Sequence, residues 1–73
     1  MKTSFKVEGF DRRLKTAIAN SNLTVTDVQR KSGVSRSTMW GYMFDGVNPS
    51  VYTLKRLAIT LKVSTDYLLG LRG

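Results

Sequence analysis

Hydrophobic side chains recur at helical spacing in two long stretches of the chain. In the first stretch they fall at positions i, i+4, i+7 and i+8, which is one face of a helix. These residues are Phe10, Leu14, Ala17 and Ile18. The second stretch has a similar stripe, formed by Leu54, Leu57, Ala58 and Leu61. Arg13 and Arg56 fall off the stripes, so we expect two amphipathic helices whose arginines lie in solvent.

Two shorter helices joined by a tight turn are predicted between these stretches. Thr24 can accept from first-turn N–H groups, and Asp27 adds negative charge near the positive end of the helix dipole. The pair is a weakened capping box, with Asp in place of the usual Glu or Gln. Gly33 can adopt a positive φ and end the first helix, and Ser35 caps the second, which extends to Phe44. Together these elements predict a helix-turn-helix.

The second of these helices divides into an inward and an outward face. Its inward side chains are Met39 and Tyr42, which we expect to pack with Val28 and Val34. Its outward residues are Arg36, Ser37, Trp40 and Gly41. A partner of this helix would therefore meet a cation, a hydroxyl and an indole.

The last helix is predicted to be capped by Ser64 and to end at Gly70. Its apolar side chains are Tyr67, Leu68, Leu69 and Leu71, more than one inward face of a short helix needs. Because the chain can turn away at Gly70, we expect Leu71 near the surface. The fold prediction is an all-α domain of five helices over residues 10–73.

Residues 1–9 form an N-terminal arm in this prediction. Apolar and polar residues alternate there, which permits a short extended segment, although chain ends usually fray. If the arm has a function, it contacts DNA through Lys2 and Lys6 or pairs with a second copy of the chain.

Composition narrows the function further. The 73 residues include 12 Lys and Arg against 5 Asp and Glu, which gives a net charge of +7 and favours a polyanionic partner. The chain has no Cys and no His, so we expect no enzyme, no metal or other cofactor and no small-molecule substrate. It also has no apolar run of membrane-spanning length and no signal peptide, so a cytoplasmic protein is expected.

Three segments resemble a known family. They are SGVSRST at 32–38, NPS at 48–50 and VSTDYLLG at 63–70. Their order and spacing are similar to those of the lambda-repressor-like family, the Cro/C1-type (XRE) regulators. The resemblance covers roughly residues 10–70. It implies a compact five-helix domain with a helix-turn-helix at helices 2 and 3.

The resemblance also implies which residues meet double-stranded DNA. Base contacts are expected from the outward residues Arg36, Ser37, Trp40 and Gly41. Phosphate contacts are expected from Thr24, Thr26, Thr38 and Asn48. An arginine can bond guanine bidentately and an apolar group can meet a thymine methyl. For Trp40, packing back onto the protein and contact with another protein stay open as alternatives.

The chain departs from the family pattern at three places. Val25 stands where relatives commonly have a phosphate-contacting Gln, so Thr24 or Thr26 must replace that contact. Gln29 stands where relatives have a small Ala. Ile18 and Met43 stand where relatives often have an Arg–Glu pair, and we expect these two apolar side chains to touch.

The predicted function is a sequence-specific transcriptional regulator, a phage or prophage repressor that acts by operator occupancy. A chain of this length leaves no room for a ligand-sensing domain, and we expect a weak homodimer that is completed on DNA. Two alternatives remain: an antitoxin-type autorepressor, and a protein-interaction module on the same fold that has lost DNA binding.

Overall fold

The computed structural model describes residues 7–71, and the predictions for Lys2 and Lys6 lie outside the described residues. The described part of the chain forms five helices and no strand, which confirms the all-α prediction. The helices are α1 (Phe10–Ala19), α2 (Val25–Ser32), α3 (Arg36–Phe44), α4 (Val51–Leu61) and α5 (Thr65–Leu69). Within residues 7–71, no helix has the length and apolar character that a membrane span requires.

Four helices begin at a hydroxyl side chain that accepts a hydrogen bond from the backbone N–H three residues later. These N-caps are Thr24, Ser35, Ser50 and Ser64. At α2 the capping box is complete, because the N–H of Asp27 donates to Thr24 Oγ1 and the N–H of Thr24 donates to Asp27 Oδ2, both at 3.0 Å. The shorter Asp side chain is therefore long enough to close the box.

The core lies where all five helices meet. Both predicted apolar stripes are buried, and Val28, Val34, Met39, Tyr42 and Met43 join them. α1 packs on α3 and α5, and α2 packs on α4. Phe10 and Tyr42 meet edge to face, with ring centroids 6.3 Å apart. The helix-turn-helix is thus held from behind by α1 and α4.

The turn between α2 and α3 depends on Gly33. Its φ of 77° lies in the left-handed region that glycine adopts at little cost. The N–H groups of Gly33 and Val34 both donate to the carbonyl of Gln29, at 2.9 and 3.2 Å. Val34 then enters the core, which fixes the direction in which α3 leaves the turn.

Two arginines bind the carboxyl ends of helices, a role that their spacing did not predict. Arg56 remains exposed, but its Nε donates to the carbonyl of Ser32 at the end of α2, at 2.6 Å. Arg13 Nε donates to the carbonyl of Leu68 in α5 at 3.0 Å, and its Nη2 donates to the carbonyl of Glu8 at 2.6 Å. Each guanidinium thus occupies a helix end where positive charge is favourable.

The C-terminal helix uses one of its leucines as a full core residue. Leu68 is completely buried, whereas Tyr67 and Leu69 are partly buried against the core. Gly70 turns the chain with a φ of 79°, and Leu71 is 73% exposed, as its place after the turn predicted. An apolar side chain is therefore left at the surface beside α5.

Candidate nucleic-acid interface

The first turn of α3 presents polar side chains to solvent. Arg36, Ser37 and Thr38 are all exposed, as the outward face of this helix predicted for Arg36 and Ser37. Arg36 and Ser37 form no side-chain hydrogen bond or ion pair with any of residues 7–71, whereas Thr38 Oγ1 accepts from Ser35 Oγ at 2.8 Å. The guanidinium of Arg36 is therefore available to an external acceptor, and Thr38 is partly committed to the cap.

The start of α2 lies beside this turn. Thr26 and Arg36 line one cleft, which places the predicted phosphate-contacting residue next to the predicted base-contacting residue. Thr24 Oγ1 accepts the N–H of Asp27 and its hydroxyl hydrogen is directed to the Asp27 carboxylate, so a phosphate that binds Thr24 must compete with this carboxylate. Backbone N–H groups in the first turn of a helix also favour a negatively charged group.

Asp27 adds negative charge to this region, and its partners reduce the effect. Arg30 Nη2 lies 2.9 Å from Asp27 Oδ1. The hydrogen bond from the Thr24 backbone N–H, then that from the Thr24 side chain, and to a smaller extent Arg30, lower the pKa of Asp27 from its ordinary value of 3.8. Asp27 is thus ionised at neutral pH, with its charge turned toward the cap and Arg30.

Trp40 and Phe44 form an aromatic pair on the next turns of α3. Their ring centroids are 4.5 Å apart with a tilt of 35°, and their side chains are 49% and 51% exposed. Lys15 of α1 places its Nζ 5.0 Å from the centroid of the Phe44 ring, a cation–π contact. The pair therefore combines apolar surface with nearby positive charge.

A cleft of about 470 Å³ runs between this aromatic pair and α2. Its walls are Val25, Thr26, Gln29, Arg36, Trp40, Met43 and Phe44. Two departures from the family pattern, Val25 and Gln29, thus border the cleft that also holds Trp40. Sequence reasoning treated these residues one by one. Their spacings of four residues place Val25 and Gln29 on one face of α2, and Arg36, Trp40 and Phe44 on one face of α3, but do not show that the two faces meet.

Gly41 and Asn48 lie in different surroundings from Arg36. The Cβ of a residue larger than glycine at position 41 would lie 3.4 Å from Val47 Cγ2, so Gly41 faces the loop after α3. Asn48 is half buried, and its Oδ1 accepts the N–H of Val7 at 3.0 Å. Its side-chain NH₂ forms no hydrogen bond with the described residues and can still donate to a phosphate.

The predicted site residues thus fall into two groups. One group lies around the cleft between α2 and α3 and contains Thr26, Arg36 and Trp40. The other lies at the loop after α3, where Asn48 borders a separate depression with Val7. DNA contact by any of these residues stays a prediction.

Comparison with known families gives one match. A family model described as helix-turn-helix matches residues 14–68, from within α1 to α5. Searches among curated proteins and among solved structures returned no match. The matched range includes both helices of the turn and the helices that support them.

Proposed function

The chain belongs to the Cro/C1-type helix-turn-helix family of DNA-binding regulators, and from that premise we propose that it is a sequence-specific repressor. In this proposal it is of phage or prophage type and represses transcription by occupying an operator. The observation that carries the proposal is the exposed first turn of α3, where Arg36 has no acceptor among residues 7–71 and lies beside the start of α2.

The proposed mechanism assigns different tasks to the two helices. α3 enters the major groove, where Arg36 bonds a guanine edge and Ser37 and Trp40 meet neighbouring bases. Thr24 and Thr26 hold a phosphate together with the first-turn N–H groups of α2. Thr38 contacts a neighbouring phosphate, Asn48 contacts another phosphate from the loop after α3, and Gly41 is a further proposed base contact. RNA polymerase is then excluded from the occupied operator.

The first test is the dependence of binding on salt. If Lys and Arg side chains neutralise roughly six DNA phosphates, the slope of log affinity against log salt concentration should be about −5, because each neutralised phosphate releases condensed counterions. Fluorescence anisotropy with a duplex selected from a random pool would measure it. An affinity that stays constant from low to physiological salt would contradict DNA binding.

The second test separates base reading from charge. Arg36→Ala should weaken binding to the selected duplex by roughly 1–3 kcal/mol and relax the preference at one base pair. Lys31→Ala is the matched control, because it removes one positive charge from an exposed residue at the other end of α2. If Arg36→Ala weakened selected and random DNA equally, Arg36 would be a phosphate contact instead.

We also propose that the protein binds its operator as a weak symmetric dimer. One short recognition helix reads few base pairs, and pairing brings two such helices into successive major grooves roughly 34 Å apart. The exposed Leu71 beside α5 supports a dimer interface at the C-terminal helix. Sedimentation with and without a palindromic duplex would test it. A protein that binds half-sites and full sites equally well, and stays monomeric at high concentration, would refute the dimer.

A second candidate function is a protein-interaction module on the same fold. The exposed pair of Trp40 and Phe44 favours it, since large apolar side chains at a surface commonly mark a contact. An antitoxin-type autorepressor combines such a contact with DNA binding. The salt titration separates the interaction module from the two DNA-binding candidates, because a module without DNA binding shows no affinity for the duplex at any salt concentration.

A further inference from the structure

We propose that Trp40 is a specificity residue that recognises thymine, by packing its indole against the C5 methyl group of one thymine in the operator. The inference rests on the proposed DNA-binding function and extends it by naming a base and the group on that base. It also predicts where that thymine lies relative to the guanine bound by Arg36.

The protein supports the Trp40 ring and leaves part of it exposed. One side of the indole packs on Phe44, with ring centroids 4.5 Å apart, and 49% of the side chain remains exposed. Val25 and Met43 add apolar walls to the same cleft. The ring is thus supported from within the protein and keeps a free apolar surface. Covering such a surface with an apolar group lowers the free energy of the complex.

Positively charged side chains lie near the indole. Arg36 lines the cleft, and Lys15 Nζ lies 5.0 Å from the centroid of the Phe44 ring. An apolar surface bordered by cations suits a polyanion that carries an apolar group. In the major groove, base edges present hydrogen-bond donors and acceptors, and the thymine C5 methyl is the apolar exception. The thymine methyl therefore matches the apolar surface of the indole, and the DNA phosphates match the positive charge around it.

The spacing along α3 relates Trp40 to Arg36. Trp40 follows Arg36 by four residues, so it lies about 6 Å further along the helix axis on nearly the same face. Successive nucleotides of one strand are about 3.4 Å apart along the duplex axis. The thymine should accordingly lie one to three base pairs, by this rough spacing, from the guanine that Arg36 contacts.

The experiment removes the methyl group alone. An operator is selected from a random pool, and each dT in it is then replaced singly by dU, which leaves every hydrogen-bonding group in place. We expect one dT→dU replacement in each half-site to weaken wild-type binding roughly fourfold, the effect of one buried methyl-sized group. Trp40→Ala should bind the dT and dU duplexes with equal affinity. Ile59→Ala is the control, since it truncates an exposed apolar residue of α4 and should keep the discrimination.

Intrinsic fluorescence gives an independent readout, because Trp40 is the single tryptophan of the chain. Acrylamide should quench its emission less in the complex with the dT duplex than in the free protein. Trp40→Phe keeps an aromatic ring on Phe44 and should retain part of the dT preference. Circular dichroism of both variants would show that the helices remain folded.

The possible results separate this inference from the proposed function. Specific, salt-dependent binding in which no dU replacement matters would overturn the role of Trp40 and leave the repressor proposal intact. Sensitivity to dU that persists in Trp40→Ala would assign the methyl contact to another residue and also overturn it. A protein that binds no duplex would overturn both proposals. Quenching of Trp40 that stays the same on DNA would contradict its burial by a base.

Discussion

Arg56→Ala tests whether an arginine of α4 holds the end of the helix that precedes the turn. The substitution removes the hydrogen bond from Arg56 Nε to the carbonyl of Ser32, which is 2.6 Å long. It also removes the bond from Nη1 to the hydroxyl of Tyr52, at 2.8 Å, and the cation–π contact with the Tyr52 ring, 5.4 Å from its centroid. The free energy of unfolding should therefore fall although no core residue is changed.

The size of the effect can be worked from these contacts. A hydrogen bond from a charged donor stabilises the fold by about 1.5–3 kcal/mol when it is shielded from water. Its contribution is smaller here, because Arg56 is exposed and water can donate to the Ser32 carbonyl in its place. Loss of a positive charge from the end of α2 adds about 0.3–1 kcal/mol. Alanine regains roughly 0.2 kcal/mol through its higher helix propensity. We expect Arg56→Ala to lower the free energy of unfolding by about 1–2 kcal/mol.

Urea unfolding followed by circular dichroism would measure the change, with thermal unfolding as a second assay. In a domain of this size, each kcal/mol lost should lower Tm by about 4–8 °C. Lys55→Ala is the matched control, because Lys55 is the exposed neighbour of Arg56 in α4 and makes no side-chain hydrogen bond or ion pair with the described residues. Tyr52→Phe removes only the hydroxyl acceptor and should cost about 0.5 kcal/mol or less.

Equal effects of Arg56→Ala and Lys55→Ala would refute the reasoning, because both substitutions remove one positive charge from the same helix. Hydrogen exchange would localise the effect. Loss of Arg56 should increase exchange at the last turn of α2, near Ser32, more than at the first turn. Uniform acceleration across the protein would mean that Arg56 stabilises the fold as a whole and has no special role at this helix end.

Four further substitutions test three other features of the structure. Lys62 ends α4 with a φ of 58°, so Lys62→Gly should raise the free energy of unfolding in urea by about 0.5–1 kcal/mol, and no gain would contradict strain there. Hydrogen bonds from Thr24 lower the pKa of Asp27 from 3.8. The stability from its carboxylate is thus present above that pH and lost as pH falls below it, and Asp27→Asn should reduce this acid dependence in unfolding measured against pH. Ile18→Ala and Met43→Ala should each destabilise by about 2–4 kcal/mol and be non-additive in a double-mutant cycle, whereas strict additivity would mean that the two side chains do not meet.

Local signals in the sequence predicted the helices well. The cap at Ser35, the turn at Gly33 and the stripe ending in Leu61 each depend on residues within one or two turns of one another. Hydrophobic spacing identifies the buried face of a helix because burial favours an apolar side chain at every position on that face. The match of the helix-turn-helix family to residues 14–68 agrees with that part of the prediction.

Contacts between distant residues could not be predicted in this way. Arg13 binds the carbonyl of Leu68, 55 residues away, and Arg56 binds that of Ser32, 24 residues away, and spacing along the sequence gives no sign of such partners. An arginine outside an apolar stripe occupies the same place in the sequence pattern whether its guanidinium is solvated by water or binds carbonyls at a helix end. The cleft that Trp40 shares with Val25 was missed for the same reason, since it depends on the angle at which α2 and α3 meet.

The guanidinium of Arg13 has a consequence for how this protein can evolve. It binds carbonyls at Glu8 and Leu68, and its Nη2 lies 2.7 Å from the point where a side chain at position 70 would begin. Any residue that replaces Gly70 must therefore adopt a φ near 79° and also shift the guanidinium of Arg13 away from its present position. We therefore expect substitutions at positions 13 and 70 to be non-additive. A lineage that first exchanges Arg13 for a shorter side chain meets a smaller barrier to losing the glycine than one that makes the two changes in the opposite order.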